Sequence, residues 1–245
     1  MSFRREWRRG PYAGGNKMLV VPRRRTVSVS DPYRSLRRLI IHADGSNGST
    51  SVVDTSPSPA SLTVNGSATI STSQSRFGGS SLSFLSATAG SVSFTGSSRL
   101  QFTGDFTIEA WVFLPSVPAA FAALFEARSA SLAQPYVVGF RNVSGLIRPE
   151  FYTGAVQIQH GSLPINTWTH VAWVRSGTTL TTYINRTAVG STTYAGSVTP
   201  AGSTVHIGRL PYDGINATFF LDEIVVTAAA LTPAEFAFDA PVPDS

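Results

Sequence analysis

Between Trp168 and Ser191 the chain reads WTHVAWVRSGTTLTTYINRTAVGS, with apolar residues recurring at every second position. In an extended backbone successive side chains leave opposite faces, so this spacing predicts strands rather than helices. Trp168, His170, Ala172 and Val174 share one face, and Thr169, Val171, Trp173 and Arg175 share the other. Ser176-Gly177-Thr178 turns the chain. Leu180, Thr182 and Ile184 then alternate with Thr181 and Tyr183, and Asn185-Arg186 turns it again, which predicts a three-stranded meander. Asn185 tolerates a positive φ; Arg186 does so at greater cost, which leaves open a different turn type or a longer loop.

The same texture runs on from Leu39. Strands are expected at RLIIHADG, SSLSFLS, GSVSFTG, RLQF, DFTIEAWVFLP, PYVVGFRN, LIRPEFYT, AVQIQHG, TVHIGRL and ATFFLDEIVVTAAAL. In DFTIEAWVF both alternating faces are partly apolar, as for a strand covered on both sides. AAFAALFEARSA is too short for its period to choose between a strand and a helical turn. Pro57 and Pro59 exclude a central strand around them, and SLTVNGSATIST reads as a hairpin about Asn65-Gly66. LTPAEFAF predicts a short C-terminal helical turn, with Thr232 as cap, Pro233 in the first turn and Glu235 three residues after the cap. About a dozen strands at spacings of about 8–12 residues predict an all-β, two-sheet antiparallel sandwich or jelly roll. A chain of 245 residues, 42% hydrophobic, suffices for one such core.

Charge divides the chain. Residues 1–40 hold eleven Lys/Arg and two Asp/Glu, whereas the other 205 hold eight and twelve. Residues 1–38 lack sustained periodicity and are broken by Pro11, Gly14, Gly15, Pro22 and Pro32, yet Phe3, Trp7, Tyr12 and Met18 are scattered among them. This predicts an extended basic arm that orders against a partner, ahead of a domain spanning 39–245. Its anchors would be Arg4, Arg5, Trp7, Arg8, Arg9, Arg23, Arg24, Arg25, Arg37 and Arg38. The chain has no cysteine, so disulfide and thiolate chemistry are excluded. No apolar run reaches the roughly 18 residues that span a bilayer, so no membrane partner is expected. The N-terminus lacks the apolar core of a signal peptide, so Sec-type secretion is not expected. The five Asn-x-Ser/Thr sequons at Asn47, Asn65, Asn142, Asn185 and Asn216 then carry no glycosylation role.

RFGGSSLSF (76–84), DFTIEAWVF (105–113), INTWTHVAWVRSGTTLTTYINRTAVGS (165–191) and FLDEIVVTAAALTPAEF (220–236) occur in one order. Together they resemble the laminin-G-like branch of the concanavalin A-like lectin/glucanase superfamily over roughly residues 39–238. The resemblance implies a jelly roll with one concave and one convex face. The leading LIIHADGSNGST further resembles the version of this domain found in tailed-phage structural proteins. It also implies a structural Ca²⁺ between the first strand and the last. Asp44 and Asp222 would be foremost among the candidate ligands, with Asn47, Asp54 and Asp213, although Asp44-Gly45 and Asp213-Gly214 serve equally well as turns.

Hydrolases of this superfamily set two carboxylates at alternate positions on one strand. Here Glu109 stands alone, and Asp222 and Glu223, being adjacent, should point to opposite faces. No Gly-x-Ser-x-Gly elbow, His-Glu-x-x-His pair or phosphate-binding glycine loop occurs. No catalytic residue is therefore expected. Among the histidines, His170 and His206 sit within alternating strands as packed residues, and His42 and His160 lie at strand ends. Trp173, Tyr183, Tyr194 and Tyr212 are the candidate sugar platforms. Arg209, Tyr212, Asp213 and Asn216, gathered in GRLPYDGINAT, form a candidate ligand loop. Arginines interleaved with Trp and Tyr can grip nucleic acid, but scattered apolar residues and an acidic body fit an acidic protein lattice better.

The expected role is a non-enzymatic virion structural protein: a capsid decoration, cement or fibre-base protein. Its basic arm would dock on a capsid or other virion lattice, as a symmetric homo-oligomer. The alternative is a carbohydrate-binding, lectin-like module that attaches to a host glycan.

Overall fold

The computed structural model describes residues 30–95, 97–128, 136–154, 157–200 and 204–244. Strands are numbered in chain order. One sheet runs β13 (Thr187–Thr193), β12 (Thr179–Ile184), β11 (Thr169–Ser176), β6 (Phe106–Phe113), β17 (Phe219–Thr227), β4 (Ser81–Phe84) and β3 (Thr69–Ser71). The strand β1 (Arg37–Ile41) pairs with β17 beyond the end of β4. The second sheet runs β10 (Gln157–Gln159), β9 (Leu146–Tyr152), β8 (Val137–Val143), β7 (Phe121–Glu126), β14 (Thr204–Ile207), β5 (Ser91–Thr95) and β2 (Thr63–Asn65). All pairings are antiparallel, and a small hairpin of β15 (Arg209–Leu210) and β16 (Ile215–Asn216) stands outside both sheets. This is the expected jelly roll.

Alternation decides what lies between the layers. Phe106, Ile108, Val171 and Trp173 from the first sheet meet Val138, Phe140 and Phe151 from the second, all fully buried. The meander forms as read, with Ser176 opposite Thr179 across the first turn. Its second turn is tight: Asn185 and Arg186 both take positive φ, 46° and 67°. A left-handed Arg costs about 1–2 kcal/mol. It is offset by local bonds, since Asn185 exchanges backbone and side-chain hydrogen bonds with His170. Arg186 also pairs with Asp239 at 2.7 Å and lies over the Phe238 ring.

Two expectations need correction: the hairpin at Asn65-Gly66 and the strand at RLQF. Asn65-Gly66 does not close a hairpin, because β2 pairs with β5 in one sheet while β3 pairs with β4 in the other. The turn chemistry is satisfied, since Gly66 takes φ 62°, but sheet partnership is decided by long-range pairing. AAFAALFEARSA resolves as the strand β7, and RLQF as a 3-10 turn at Ser97–Leu100 followed by an isolated bridge between Phe102 and Val198. LTPAEFAF makes the expected C-terminal helical turn, of 3-10 type at Pro233–Glu235, with the capping box in place.

That turn belongs to a strap. Residues 228–244 cross the outer face of the first sheet, where Leu231 and Phe236 cover Ala172 and Val174, and Ala237 and Val242 cover Ile40 and Val225. Trp111 Nε1 donates to the Ala237 carbonyl at 2.9 Å, and Glu109 Oε2 accepts from the Ala237 N–H at 3.0 Å. Buried Glu109 also meets His170 Nε2 at 3.0 Å, and Arg37 lies 3.7 Å away. His170 is thus the packed, hydrogen-bonded histidine expected from its strand.

Candidate functional site

The outer face of the second sheet, opposite the strap, carries its polar chemistry in registered rows. Glu126, Val137, Tyr152 and Gln157 stand side by side across β7, β8, β9 and β10. Behind them run Ala123, Gly139, Glu150 and Gln159, then Phe121, Arg141 and Arg148. Gly139 is required: a Cβ there would lie 2.3 Å from the Ala122 carbonyl oxygen and 2.6 Å from the Phe121 ring. Phe121, Ala123 and Val137 pack beneath Leu210 and Ile215, so the hairpin of β15 and β16 forms a wall rising from the sheet.

Two arginines are fixed on this face. Arg128 grips Glu126 through Nε at 2.7 Å and Nη2 at 2.5 Å, and the same Nη2 reaches Asp213 on the hairpin at 2.5 Å. Those hydrogen bonds outweigh burial and hold the guanidinium charged. Arg141 grips Glu150 at 2.5 and 2.8 Å and lies over the Phe121 ring. Gln157 donates to Glu150 at 2.7 Å, and Gln159 donates to the same oxygen. Between wall and sheet lies a cleft of about 400 Å³, bounded chiefly by Arg128, Arg141, Tyr152, Gln157 and Asp213, with Leu210 at its apolar side. A few fixed polar groups beside an apolar wall and a tyrosine suit a neutral polar ligand with both CH and OH faces.

The sequence candidates distribute unevenly around this cleft. Arg209, Tyr212, Asp213 and Asn216 do gather in one hairpin, but only Asp213 lines the cleft. Arg209 bonds the Ala89 carbonyl at 3.5 Å, and Asn216 bonds Gly214 at 3.4 Å. Among the proposed platforms Trp173 is fully buried and Tyr194 is 9% exposed, both in the central core, while Tyr183 packs on Phe236. They are structural because they project between the sheets or under the strap. Of the arm, Arg4, Arg5, Trp7, Arg8, Arg9, Arg23, Arg24 and Arg25 lie outside the described residues, while Arg37 and Arg38 are part of β1. Glu126, Arg128, Arg141, Glu150, Tyr152 and Gln157 escaped the sequence reading. The available signal was FEAR, whose Glu126 and Arg128 fall two apart on one strand face.

At the other end, Asp44 and Asp222 approach one another around the loop 76–79. Asp222 Oδ2 accepts from the Arg76 and Phe77 N–H groups at 2.8 and 3.0 Å, while Oδ1 is buried without a hydrogen bond. A side chain on Gly78 would collide with Asp44 Oδ1 at 1.6 Å. The other proposed oxygen ligands are elsewhere: Asp54 accepts three backbone N–H groups, Asn47 caps Thr72, and Asp213 holds Arg128. Among the described residues no three His, Asp or Glu side chains come together to hold a metal.

Asp222 and Glu223 do not point apart as adjacency suggested. A bulge sets Asp222 opposite Trp111 and Val225 opposite Glu109, with Glu223 at φ 48°. The extra residue turns both carboxylates to the strap side. Glu223 binds His42 Nδ1 at 2.7 Å and the Val242 N–H at 3.2 Å, and His42 Nε2 meets Asp244 at 3.1 Å. Burial pushes Asp222 up to about 7, against its two backbone hydrogen bonds. For His42 burial acts downward but is outweighed by Glu223 and Asp244, which raise it to about 9. Both folded values exceed the unfolded ones of 3.8 and 6.5, so both groups bind protons more tightly when folded. Their contribution is complete at low pH and is lost as pH rises, Asp222's through about 7 and His42's through about 9. The unfolding free energy from urea titrations should therefore decline between pH 5 and pH 9, by an amount of the order of a few kcal/mol, with the part from partly exposed His42 reduced by solvent screening. A flat profile would mean that these two groups are solvated.

The family described as "Concanavalin A-like lectin/glucanases superfamily" (Laminin_G_3) matches residues 86–237. The chain belongs to this superfamily. No curated protein matches its sequence. Among solved structures, this concanavalin A-like chain is similar to the binding domain of Paraclostridial Mosquitocidal Protein 1, at 15% identity and TM-score 0.63 over 83% of this chain and 51% of that one. It is also similar to the botulinum neurotoxin serotype C1 binding domain, at 14% identity and TM-score 0.61 over 83% and 51%. A third is the binding domain of botulinum neurotoxin DC in complex with SialylT, at 14% and 0.59 over 82% and 50%. The chain spans about half the length of these structures, and the likeness is one of fold. All three are binding domains.

Proposed function

We propose that this domain is a non-catalytic, lectin-like module that attaches to a surface glycan through the cleft on the outer face of the second sheet. The carrying observation is the cleft itself, whose lining combines Tyr152 and Gln157 with two fixed arginines and an apolar wall. Such a surface offers a ring for the CH face of a sugar and donors for its hydroxyls. The description of one fold neighbour as a complex with SialylT supports the reading. Hydrolysis is disfavoured by the state of the two carboxylates beneath the cleft. Glu126 and Glu150 are fully buried, and their oxygens are occupied by arginine and glutamine donors, so neither is presented to a glycosidic bond.

A glycan array probed with the full chain should return a restricted set of binders. Tyr152→Ala should weaken the best of them about tenfold, equivalent to roughly 1.4 kcal/mol, with the melting temperature nearly unchanged because Tyr152 is half-buried. An array without binders at high protein concentration, or full affinity in Tyr152→Ala, would sink the assignment.

A further inference from the structure

The end of the sandwich where β1 begins holds a second pocket, sharing no residue with the cleft. It encloses about 230 Å³, and its walls carry Arg37, Arg38 and Arg99 together with Ser35, Ser58 and Ser98. No carboxylate lines it. We propose that this pocket binds a tetrahedral oxyanion, sulfate or phosphate, either free or as the ester group of a larger ligand. The proposal is independent of the glycan reading of the cleft.

Local folding sets the arginines in place. A bulge between Arg37 and Leu39 interrupts the pairing of β1 with β17, and Arg38 falls at the irregularity. Arg37 is therefore turned inward and Arg38 outward. Arg99 arrives on the 3-10 turn Ser97–Leu100 and donates to the Arg38 carbonyl at 3.3 Å. A guanidinium has five N–H groups. Arg37 commits three of them, two to Asp31 and one to Thr227. Arg38 is exposed, and its side chain has no hydrogen-bond or ion-pair partner among the described residues.

The nearby carboxylates lie behind the pocket, against Arg37 and Arg99, and Glu109 Oε1 is 3.7 Å from Arg37. Asp31 is taken by Arg37 and the Tyr33 N–H. Asp54, 3.7 Å from Arg99, accepts the N–H groups of Ile40, Ser56 and Ala60. With Arg37 paired to Asp31 and Glu109 and Arg99 near Asp54, the uncompensated charge of the pocket is that of Arg38, and no carboxylate lines the space its donors face. Guanidinium forks pair bidentately with oxyanions. Donors from three arginines and three hydroxyls outnumber what two carboxylate oxygens can accept, whereas sulfate and phosphate present three or four oxygens. The match of charge and valence selects the tetrahedral anions.

The test is calorimetric titration of the full chain with inorganic sulfate and inorganic phosphate, at ionic strength matched with sodium chloride. Saturable binding of at least one is expected, weakened tenfold or more by Arg38→Ala and abolished in Arg38→Ala/Arg99→Ala. Because Arg38 has no partner to lose, the melting temperature of Arg38→Ala should equal that of the parent. Titration with a sugar sulfate and a sugar phosphate separates the sources: tighter binding than the bare ion points to an ester, weaker binding to the free ion. Equal affinity in the double variant would place the anion elsewhere on this basic chain and overturn the assignment. So would loss of all signal when chloride is matched.

Discussion

Arg37→Met should cost this chain about 3–5 kcal/mol of folding stability, the usual penalty for stranding buried carboxylates. The Arg37 side chain is 3% exposed and holds Asp31 at 2.8 Å, with Thr227 Oγ1 at 2.6 Å and Glu109 Oε1 at 3.7 Å. Glu109 Oε1 has no hydrogen bond, so removing the cation leaves it facing a dry interior. At roughly 2–4 °C per kcal/mol, the melting temperature should fall by roughly 6–20 °C. Adding Asp31→Asn should recover part of the loss, because one of the two stranded charges is then gone. A urea midpoint that barely moves in Arg37→Met would show that water reaches this network.

Trp173→Ala should be comparably damaging, about 3–5 kcal/mol, through loss of buried area and the cavity left behind. Trp173 lies opposite Ile108 and Thr182 on neighbouring strands and packs toward Phe140, 6.0 Å between centroids. In the sequence it is a candidate sugar platform, though aromatics on a sandwich more often belong to the core. Measured at a temperature where the variant remains folded, glycan affinity should therefore match the parent while stability does not. If affinity falls with stability intact, the central core reading of this residue is wrong.

Period-two alternation is a local signal, and what it governs was legible. The meander from Thr169 to Thr193 appears with the faces assigned, and Val171 and Trp173 turn inward while Ala172 and Val174 meet the strap. What depends on pairing at a distance was not. Asn65-Gly66 has hairpin chemistry, yet its flanking strands enter different sheets. Asp222 and Glu223 looked divided by adjacency, and a bulge brought them to one side. The cleft is the clearest case. Arg141 and Glu150 are nine residues apart and meet because Glu150 stands opposite Gly139 on the neighbouring strand. Arg128 finds Asp213 across 85 residues. Such partners are fixed by register, which no run of side chains states by itself.

The closure of the strap has a geometric corollary. Ser30 to Tyr33 lie against Ala234 to Val242, and the Tyr33 hydroxyl reaches Glu235 at 2.5 Å. Both ends of the described sandwich therefore depart from one broad side, while the cleft opens on the reverse. A tag, fluorophore or bead linker joined directly at residue 30 or residue 244 would leave that reverse side looking out into solution. Crowding many copies on one support would then array their clefts outward, where weak individual grips multiply into avidity.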